Sequence, residues 1–286
     1  MGEGLRLATV RLRNDTQTPL ALLAKVSDIR VMTILEAPAR PHAPISPNAL
    51  ILIAAVIGLG WAVATEVQPL GVITFAFVAA AWVLSVGIHE FGHAFTAYKA
   101  GDTTIVEKGY LTLDPLKYSD LFTTIIIPLV ALALGGIGFP GGAVYLREDL
   151  MRSRGWRSLA SLAGPLGTLV VLVVIAVSLP LAAASPPLFN ALSLLAMLQA
   201  SALVLNLLPV PGLDGYGVIR PFLPEGVQAR MMKVERVGFL ILFALIFWAP
   251  GVSEFIFAAA LTITDLLGVS RPAIGDGWRT FHFWGS

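Results

Sequence analysis

Apolar residues occur in long blocks along this chain, and shorter polar stretches separate the blocks. Several blocks are long enough to cross the roughly 30 Å hydrocarbon core of a bilayer as helices; they lie near residues 49–65, 70–95, 159–184, 187–211 and 237–253. A further block, 121–139, contains Pro128 and runs into a glycine-rich stretch at 135–142, which favours a re-entrant segment over a full crossing. The pattern predicts an all-α polytopic membrane protein with about six transmembrane helices and one re-entrant segment.

The same pattern divides the chain into three regions. Residues 1–47 mix basic and short apolar stretches and end in a proline-rich linker, which predicts a cytoplasmic or interfacial segment. Residues 48–268 contain the apolar blocks and form the predicted membrane domain. Residues 269–286 are the predicted C-terminal tail.

Composition agrees with a bilayer environment and excludes several other classes. Hydrophobic residues make up 56% of the 286 positions and charged residues 13%, against about 25% charged in a typical soluble domain. A net charge of +1 gives no field that would attract nucleic acid. Because the chain has no cysteine, any zinc must be bound by His, Asp or Glu.

The strongest chemical motif is His89-Glu90-Phe91-Gly92-His93, at the end of the block 70–95. On a helix the i, i+4 spacing places both imidazoles on one face, where they can bind one zinc ion while Glu90 faces the open coordination position. Ionisable groups inside a bilayer cost a few kcal/mol each and are tolerated mainly for function. We therefore predict a zinc site, with Glu90 as general base towards water at the metal.

A catalytic zinc usually has a third protein ligand. The stretch 206–215, Asn-Leu-Leu-Pro-Val-Pro-Gly-Leu-Asp-Gly, ends a later apolar block and offers the Asp214 carboxylate. Asn206 is an uncharged donor that could hold the scissile carbonyl oxygen. Each has an ordinary alternative, since Asp-Gly after prolines often forms a turn and a buried Asn often bonds neighbouring helices.

The distribution of basic residues predicts the orientation. If 121–139 re-enters, 17 of the 19 Lys and Arg residues lie on the motif side of the membrane; the other two, Arg271 and Arg279, lie opposite if 237–267 crosses once. The positive-inside rule then places the motif side in the cytoplasm. On that side, the β-favouring run Gly141–Leu146 predicts a small β-hairpin near the active site, whose edge could bind an unwound substrate; an interfacial loop is the alternative.

Together these motifs resemble the site-2 protease family of intramembrane zinc metalloproteases. The resemblance rests on HEFGH within one apolar block, Ala163-Gly164-Pro165 near the start of another and NLLPVPGLDG at the end of a third. It runs from Ser85 to Pro224, about half of the chain, and is closest to minimal bacterial and archaeal members without a PDZ insert. Family members usually have Asn three residues after the proline of AGP, whereas this chain has Thr168.

The resemblance implies a definite chemistry. His89, His93 and Asp214 would bind one Zn²⁺ per chain, Glu90 would be the catalytic acid and base, and Asn206 would contact the substrate. The expected substrate is a single-span membrane protein cut in or near its transmembrane segment, in the lipid bilayer of a prokaryotic cell. The alternatives are a catalytically inactive membrane scaffold, against which the intact motif argues, and a metal-ion transporter, which would favour ligands on several spans.

Overall fold

Long helices form where the apolar blocks predict them. The computed structural model describes residues 45–118, 144–232, 234 and 251–285. Its helices are α1 (Pro47–Ala64), α2 (Leu70–Ala100), α3 (Thr104–Glu107), α4 (Arg154–Ala182), α5 (Pro186–Asn206), α6 (Asp214–Ile219), α7 (225–232), α8 (Val252–Leu266) and α9 (Arg271–Phe281). Short 3₁₀ turns occupy Glu148–Leu150, Arg220–Phe222 and Phe283–Gly285.

The described helices are those of an integral membrane protein. Four of them, α1, α2, α4 and α5, are long and apolar enough to cross a bilayer, and α8 with α9 gives a fifth if this pair, bent by 119°, is one span. The predicted re-entrant segment 121–139 and most of the predicted span 237–253 lie outside the described residues. The number six therefore stays a prediction.

Helix starts are encoded locally by serine caps. Four helices begin after a serine whose Oγ accepts the backbone N–H three residues later, which satisfies one of the free donors of the first turn; the caps are Ser46, Ser153, Ser185 and Ser270. Helix ends differ more from the predicted ones. The helix α5 ends at Asn206 rather than 211, because Pro209 and Pro211 follow and proline disfavours a continuing helix.

The core lies between α2, α4, α5, α8 and α9. Helix α5 is the central one, and side chains on most of its faces are buried. Around it pack residues such as Phe77, Trp82, Leu172, Ala260 and Phe281. By contrast, α1 and α4 expose large apolar side chains on their outer faces, including Ile57, Trp61, Val177 and Leu181. In a bilayer these faces contact lipid.

Tertiary contacts define two ends of the helical bundle. We call the end that contains Ala100 the motif end: α1 starts there, with Asn48 bonded to Asp114, and α4 starts there, after the Arg152 N–H donates to the Ala100 carbonyl at 3.0 Å. At the opposite, far end the Ser185 hydroxyl donates to the Ala64 carbonyl at 3.1 Å. Helices α2 and α5 therefore run towards the motif end, and α1 and α4 run away from it.

The flanks of the segment 119–143 both lie at the motif end. Tyr118 and Val144 pack on the same cluster as Ala97 and Ala100. Residues 118 and 144, which flank this segment, therefore lie on the same side of the bundle. The predicted orientation requires this arrangement.

The predicted β-hairpin is not found among the described residues, none of which forms a strand; residues 141–143 lie outside them. Residues 144–147 have no regular structure. Lys108 Nζ donates to the Tyr145 carbonyl at 2.6 Å, and the Arg147 N–H donates to Asp102 Oδ2 at 2.8 Å. These two bonds hold residues 144–147 along the C-terminal end of α2. We call this irregular segment the strap.

The C-terminal residues contain a packed helix. In α9, Ala273, Gly277 and Phe281 are buried, and the Phe281 ring lies 5.1 Å from that of Phe75 on α2. Helix α9 thus covers the far end of the bundle. All described residues belong to one compact unit.

The contact between α9 and α5 can be tested with two matched glycines. A Cβ on Gly277 would lie 2.2 Å from the Asn190 carbonyl oxygen, whereas a Cβ on Gly275 would meet nothing within 4 Å. We expect Gly277→Ala to destabilise the protein by about 1–3 kcal/mol through overpacking. The control Gly275→Ala should be neutral or stabilising by up to about 1 kcal/mol, since Ala favours helix. Thermal unfolding in detergent measures both, and equal effects would contradict this packing.

Candidate metal centre

Two imidazoles face each other on the last third of α2. His89 and His93 are one turn apart and buried, with relative exposures of 8% and 7%. Their Nε2 atoms are 3.1 Å apart and their ring planes are 80° from parallel. Two ring nitrogens at this distance repel each other unless a proton or a cation lies between or beside them.

Asp214 joins this pair from a different part of the chain. Its Oδ2 lies 3.1 Å from His89 Nε2 and its Oδ1 lies 3.3 Å from His93 Nε2. The return of the chain from α5 to α6 is tight, since a Cβ on Gly215 would lie 2.2 Å from the Leu207 carbonyl oxygen. The structure therefore brings together the three residues that the sequence predicts as ligands.

The geometry of these three side chains fits a zinc ion. Zinc with four ligands at about 2.0–2.1 Å sets neighbouring ligand atoms about 3.3 Å apart, close to the three distances above. The three donor atoms all lie within 4.8 Å of one another. Moreover, Oδ2 of Asp214 is buried and has no hydrogen-bond partner among the described residues. Two imidazoles and one carboxylate are also the donor types that catalytic zinc sites use.

Helix α4 supports both imidazoles from behind. His93 Nδ1 lies 2.7 Å from the Ala160 carbonyl oxygen, and His89 Nδ1 lies 2.9 Å from Thr168 Oγ1. Ala160 and Thr168 are eight residues apart on α4, two turns, and each meets one of two histidines that are one turn apart on the antiparallel α2. Partners of this kind orient metal-binding imidazoles and set which nitrogen has the proton.

Gly164, midway between these two supports, leaves the space in which the ligand nitrogens meet. A Cβ there would lie 2.1 Å from His93 Nε2 and 2.7 Å from His89 Nε2. On the facing helix, a Cβ on Gly92 would lie 2.5 Å from the Ala163 carbonyl oxygen. The two helices thus approach backbone to backbone at the site.

Glu90 lies beside the histidines and is 2% exposed. The backbone N–H of Val144, in the strap, donates to its carboxylate. Its Oε2 is buried with no hydrogen-bond partner in the part of the chain that the structure describes. A carboxylate oxygen left without a donor in a low-dielectric site is available to a water molecule or a substrate proton.

Comparison with known proteins agrees with this geometry. The chain is 40% identical over 254 residues to "Putative zinc metalloprotease Rip2" of Mycolicibacterium smegmatis, which covers 86% of this chain and 97% of that protein. It is 40% identical over 229 residues to the protein of the same name from Mycobacterium tuberculosis H37Rv, covering 79% and 88%. A more distant relative is "Putative zinc metalloprotease YwhC" of Bacillus subtilis, 36% identical over 177 residues and covering 59% and 78%.

The chain belongs to the site-2 protease family. It is a zinc metalloprotease of this family, with a group of three side chains that can hold the metal. No family model matches the chain, and no solved structure matches it.

Some contacts in the site of this site-2 protease were not predictable from the sequence. Thr168, which stands where family members usually have Asn, faces His89. The sequence did not indicate that Thr168, Ala160 or Gly164 lies next to the histidines. The i, i+4 spacing of Ala160, Gly164 and Thr168 was visible in the sequence, but its match to His93 and His89 depends on the register of two helices. Asn206 is buried at the C-terminal end of α5, and its substrate contact stays a prediction.

Gly164 gives a direct test of the centre. We expect Gly164→Ala to lower zinc affinity about 10-fold or more, because the methyl group would occupy the position of the ligand nitrogens. Gly155→Ala on the same helix is the control, since its Cβ would approach only Ser153 Oγ, at 3.8 Å. Elemental analysis and chelator competition on purified protein measure the effect. Full zinc affinity in Gly164→Ala would contradict the site geometry.

Proposed function

We propose that this chain is an intramembrane protease that hydrolyses a peptide bond in or near the transmembrane segment of a single-span membrane protein, as in regulated intramembrane proteolysis. The observation that supports it most is the convergence of His89, His93 and Asp214 next to Glu90, within a helix that is apolar enough to span a bilayer. Water and a polar reaction centre are rare in this environment and are tolerated for function.

The depth of the site fits this proposal. Helix α2 has 31 residues, about 46 Å at 1.5 Å per residue, and is longer than the roughly 30 Å hydrocarbon core. His93 precedes the end of α2 at Ala100 by seven residues, about 10 Å. The centre is thus inside the bundle but close to the motif end, where a short polar path can bring water.

The residues around the metal have complementary roles in the proposed reaction. When bound, zinc acts as a Lewis acid that polarises a carbonyl and makes water more acidic. Glu90 accepts a proton from the attacking water at a carboxylate oxygen and then donates it to the leaving nitrogen of the cleaved bond. The side-chain amide of Asn206 donates to the carbonyl oxygen as it gains negative charge.

The substrate must be locally unwound before cleavage. In a transmembrane helix each peptide N–H binds the carbonyl four residues earlier, so the scissile bond is shielded until that turn opens. A site near the membrane surface favours such opening, because released backbone groups can bind water there. We propose that the cleaved bond lies near the end of the substrate helix on the motif side.

Charge distribution supports an active site that faces the cytoplasm of a prokaryotic cell. Among the described residues, the basic side chains at the motif end include Lys99, Lys108, Lys117, Arg147, Arg152, Arg154 and Arg220. At the far end, α9 has Arg271 and Arg279. Cytoplasmic loops have an excess of Lys and Arg, so the motif end is the proposed cytoplasmic end.

The proposed chemistry is tested by Glu90→Gln. The purified enzyme is reconstituted with a panel of fluorescently tagged single-span membrane proteins, and cleavage is followed by gel. Because the amide cannot accept a proton, we expect cleavage to fall by about 10²- to 10⁴-fold while zinc stays bound. The matched control is Glu107→Gln, on an exposed residue of α3.

Chelation provides the second arm of this test. Removal of zinc from wild type should abolish cleavage, and added zinc should restore it. Cleavage that survives both Glu90→Gln and chelation would refute the protease proposal. Zinc flux into vesicles without cleavage would favour the transporter.

The orientation is tested with single cysteines, for which the cysteine-free chain is a suitable background. We expect Gly275→Cys, on the exposed side of α9, to react with a membrane-impermeant maleimide on intact cells. Glu107→Cys, at the motif end, should react only after permeabilisation. The reverse pattern would show that the motif end faces outwards.

A further inference from the structure

The two histidines of the metal centre are held by different kinds of partner. His93 Nδ1 faces the backbone carbonyl of Ala160 at 2.7 Å, and His89 Nδ1 faces the hydroxyl of Thr168 at 2.9 Å. A carbonyl oxygen can only accept a hydrogen bond, whereas a hydroxyl can accept or donate. The first partner is fixed by the backbone, and the second depends on one side chain.

Metal binding sets a requirement on both partners. An imidazole that binds a metal through Nε2 must have its proton on Nδ1, so the group facing Nδ1 must accept. The Ala160 carbonyl always imposes this tautomer on His93. Thr168 imposes it on His89 only while its hydroxyl oxygen acts as acceptor.

Without metal, a second arrangement is open to His89. If the Thr168 hydroxyl donates to Nδ1, the ring proton lies on Nε2, which is 3.1 Å from Asp214 Oδ2. The proton then lies between two of the ligand atoms. This tautomer has no free Nε2 lone pair, and it must be reversed before His89 can bind the ion.

We propose that Thr168 is the positioning residue for the zinc ligand His89: its hydroxyl accepts a hydrogen bond from Nδ1–H, which keeps the ring proton on Nδ1 and leaves the Nε2 lone pair available to the metal. This inference rests on the proposed zinc site and deepens it. It gives Thr168 a role in metal affinity.

The surroundings of Thr168 favour a specific bond over general packing. Its side chain is 3% exposed, and α4 approaches α2 closely there, since a Cβ on the preceding Gly167 would lie 3.0 Å from the Ile88 carbonyl oxygen. Loss of the hydroxyl would leave His89 Nδ1 buried without its hydrogen-bond partner. An unpartnered buried donor is costly and would favour other orientations of the ring.

The test compares side chains of similar size with and without an acceptor. Thr168→Val removes the hydroxyl and keeps the shape, Thr168→Ser keeps the hydroxyl, and Thr168→Asn supplies an amide oxygen. The matched control is Thr74→Val: Thr74 is also buried, lies on the same helix as His89, and its Oγ1 has no hydrogen-bond partner among the described residues. Zinc affinity is measured by competition with a chromophoric chelator on the detergent-solubilised full chain.

We expect Thr168→Val to lower zinc affinity by about 10- to 100-fold, the usual effect of losing such a partner. Thr168→Ser should stay within about 3-fold of wild type, and Thr168→Asn should bind more tightly than Thr168→Val. Thr74→Val should bind like wild type. In the cobalt-substituted protein, the visible absorption bands of Thr168→Val should shift, since the ring of one ligand is no longer fixed.

Each other result has a distinct meaning. Equal affinities for Thr168→Val and wild type, or an equal loss in Thr168→Ser, would overturn the inference and leave the proposed function intact. Failure of wild type itself to bind zinc would overturn the proposed function. If Thr168→Val does not fold, as judged by thermal unfolding of the metal-free protein, Thr168→Ala against Thr168→Ser makes the same comparison.

Discussion

The contact between α2 and α4 is the constraint on which the rest of this site depends. Gly92 and Gly164 let the two helix backbones meet closely enough for α4 to reach behind both imidazoles. Because the two helices are antiparallel, the earlier residue on α4, Ala160, contacts the later histidine, His93, and the later residue, Thr168, contacts His89. A larger residue at the crossing would fill the space in which the nitrogen atoms converge.

The arrangement also explains how polar groups are tolerated within an apolar bundle. Buried polar atoms normally have hydrogen-bond partners, and those without one are costly. Here the Nδ1 atoms of both histidines are bonded, whereas the atoms that face the reaction centre, Glu90 Oε2 and Asp214 Oδ2, have no partner among the described residues. These two oxygens lie on the side of the site where metal, water and substrate would bind.

The two ends of the bundle differ in what they contain. At the far end, α9 packs over α5 and α2 through Gly277 and Phe281, near the starts of these two helices. At the motif end, the irregular strap lies along the end of α2, and Glu148, the residue that follows it, forms an ion pair with Arg220 at the end of α6. The far end is thus closed by helix packing, and the motif end holds the chemistry.

The sequence by itself determined the spanning helices α1, α2, α4 and α5 to within about five residues at each end, and it indicated His89, Glu90, His93 and Asp214. These features are local: apolar length, serine caps, prolines after α5 and the i, i+4 spacing of one motif are all encoded within a few turns of chain. Only the tertiary structure decided that Thr168 faces His89, that residues 144–147 form a strap instead of a strand, and that α9 is packed. Those outcomes depend on the register of helices far apart in sequence, which is set by the close approach of their backbones.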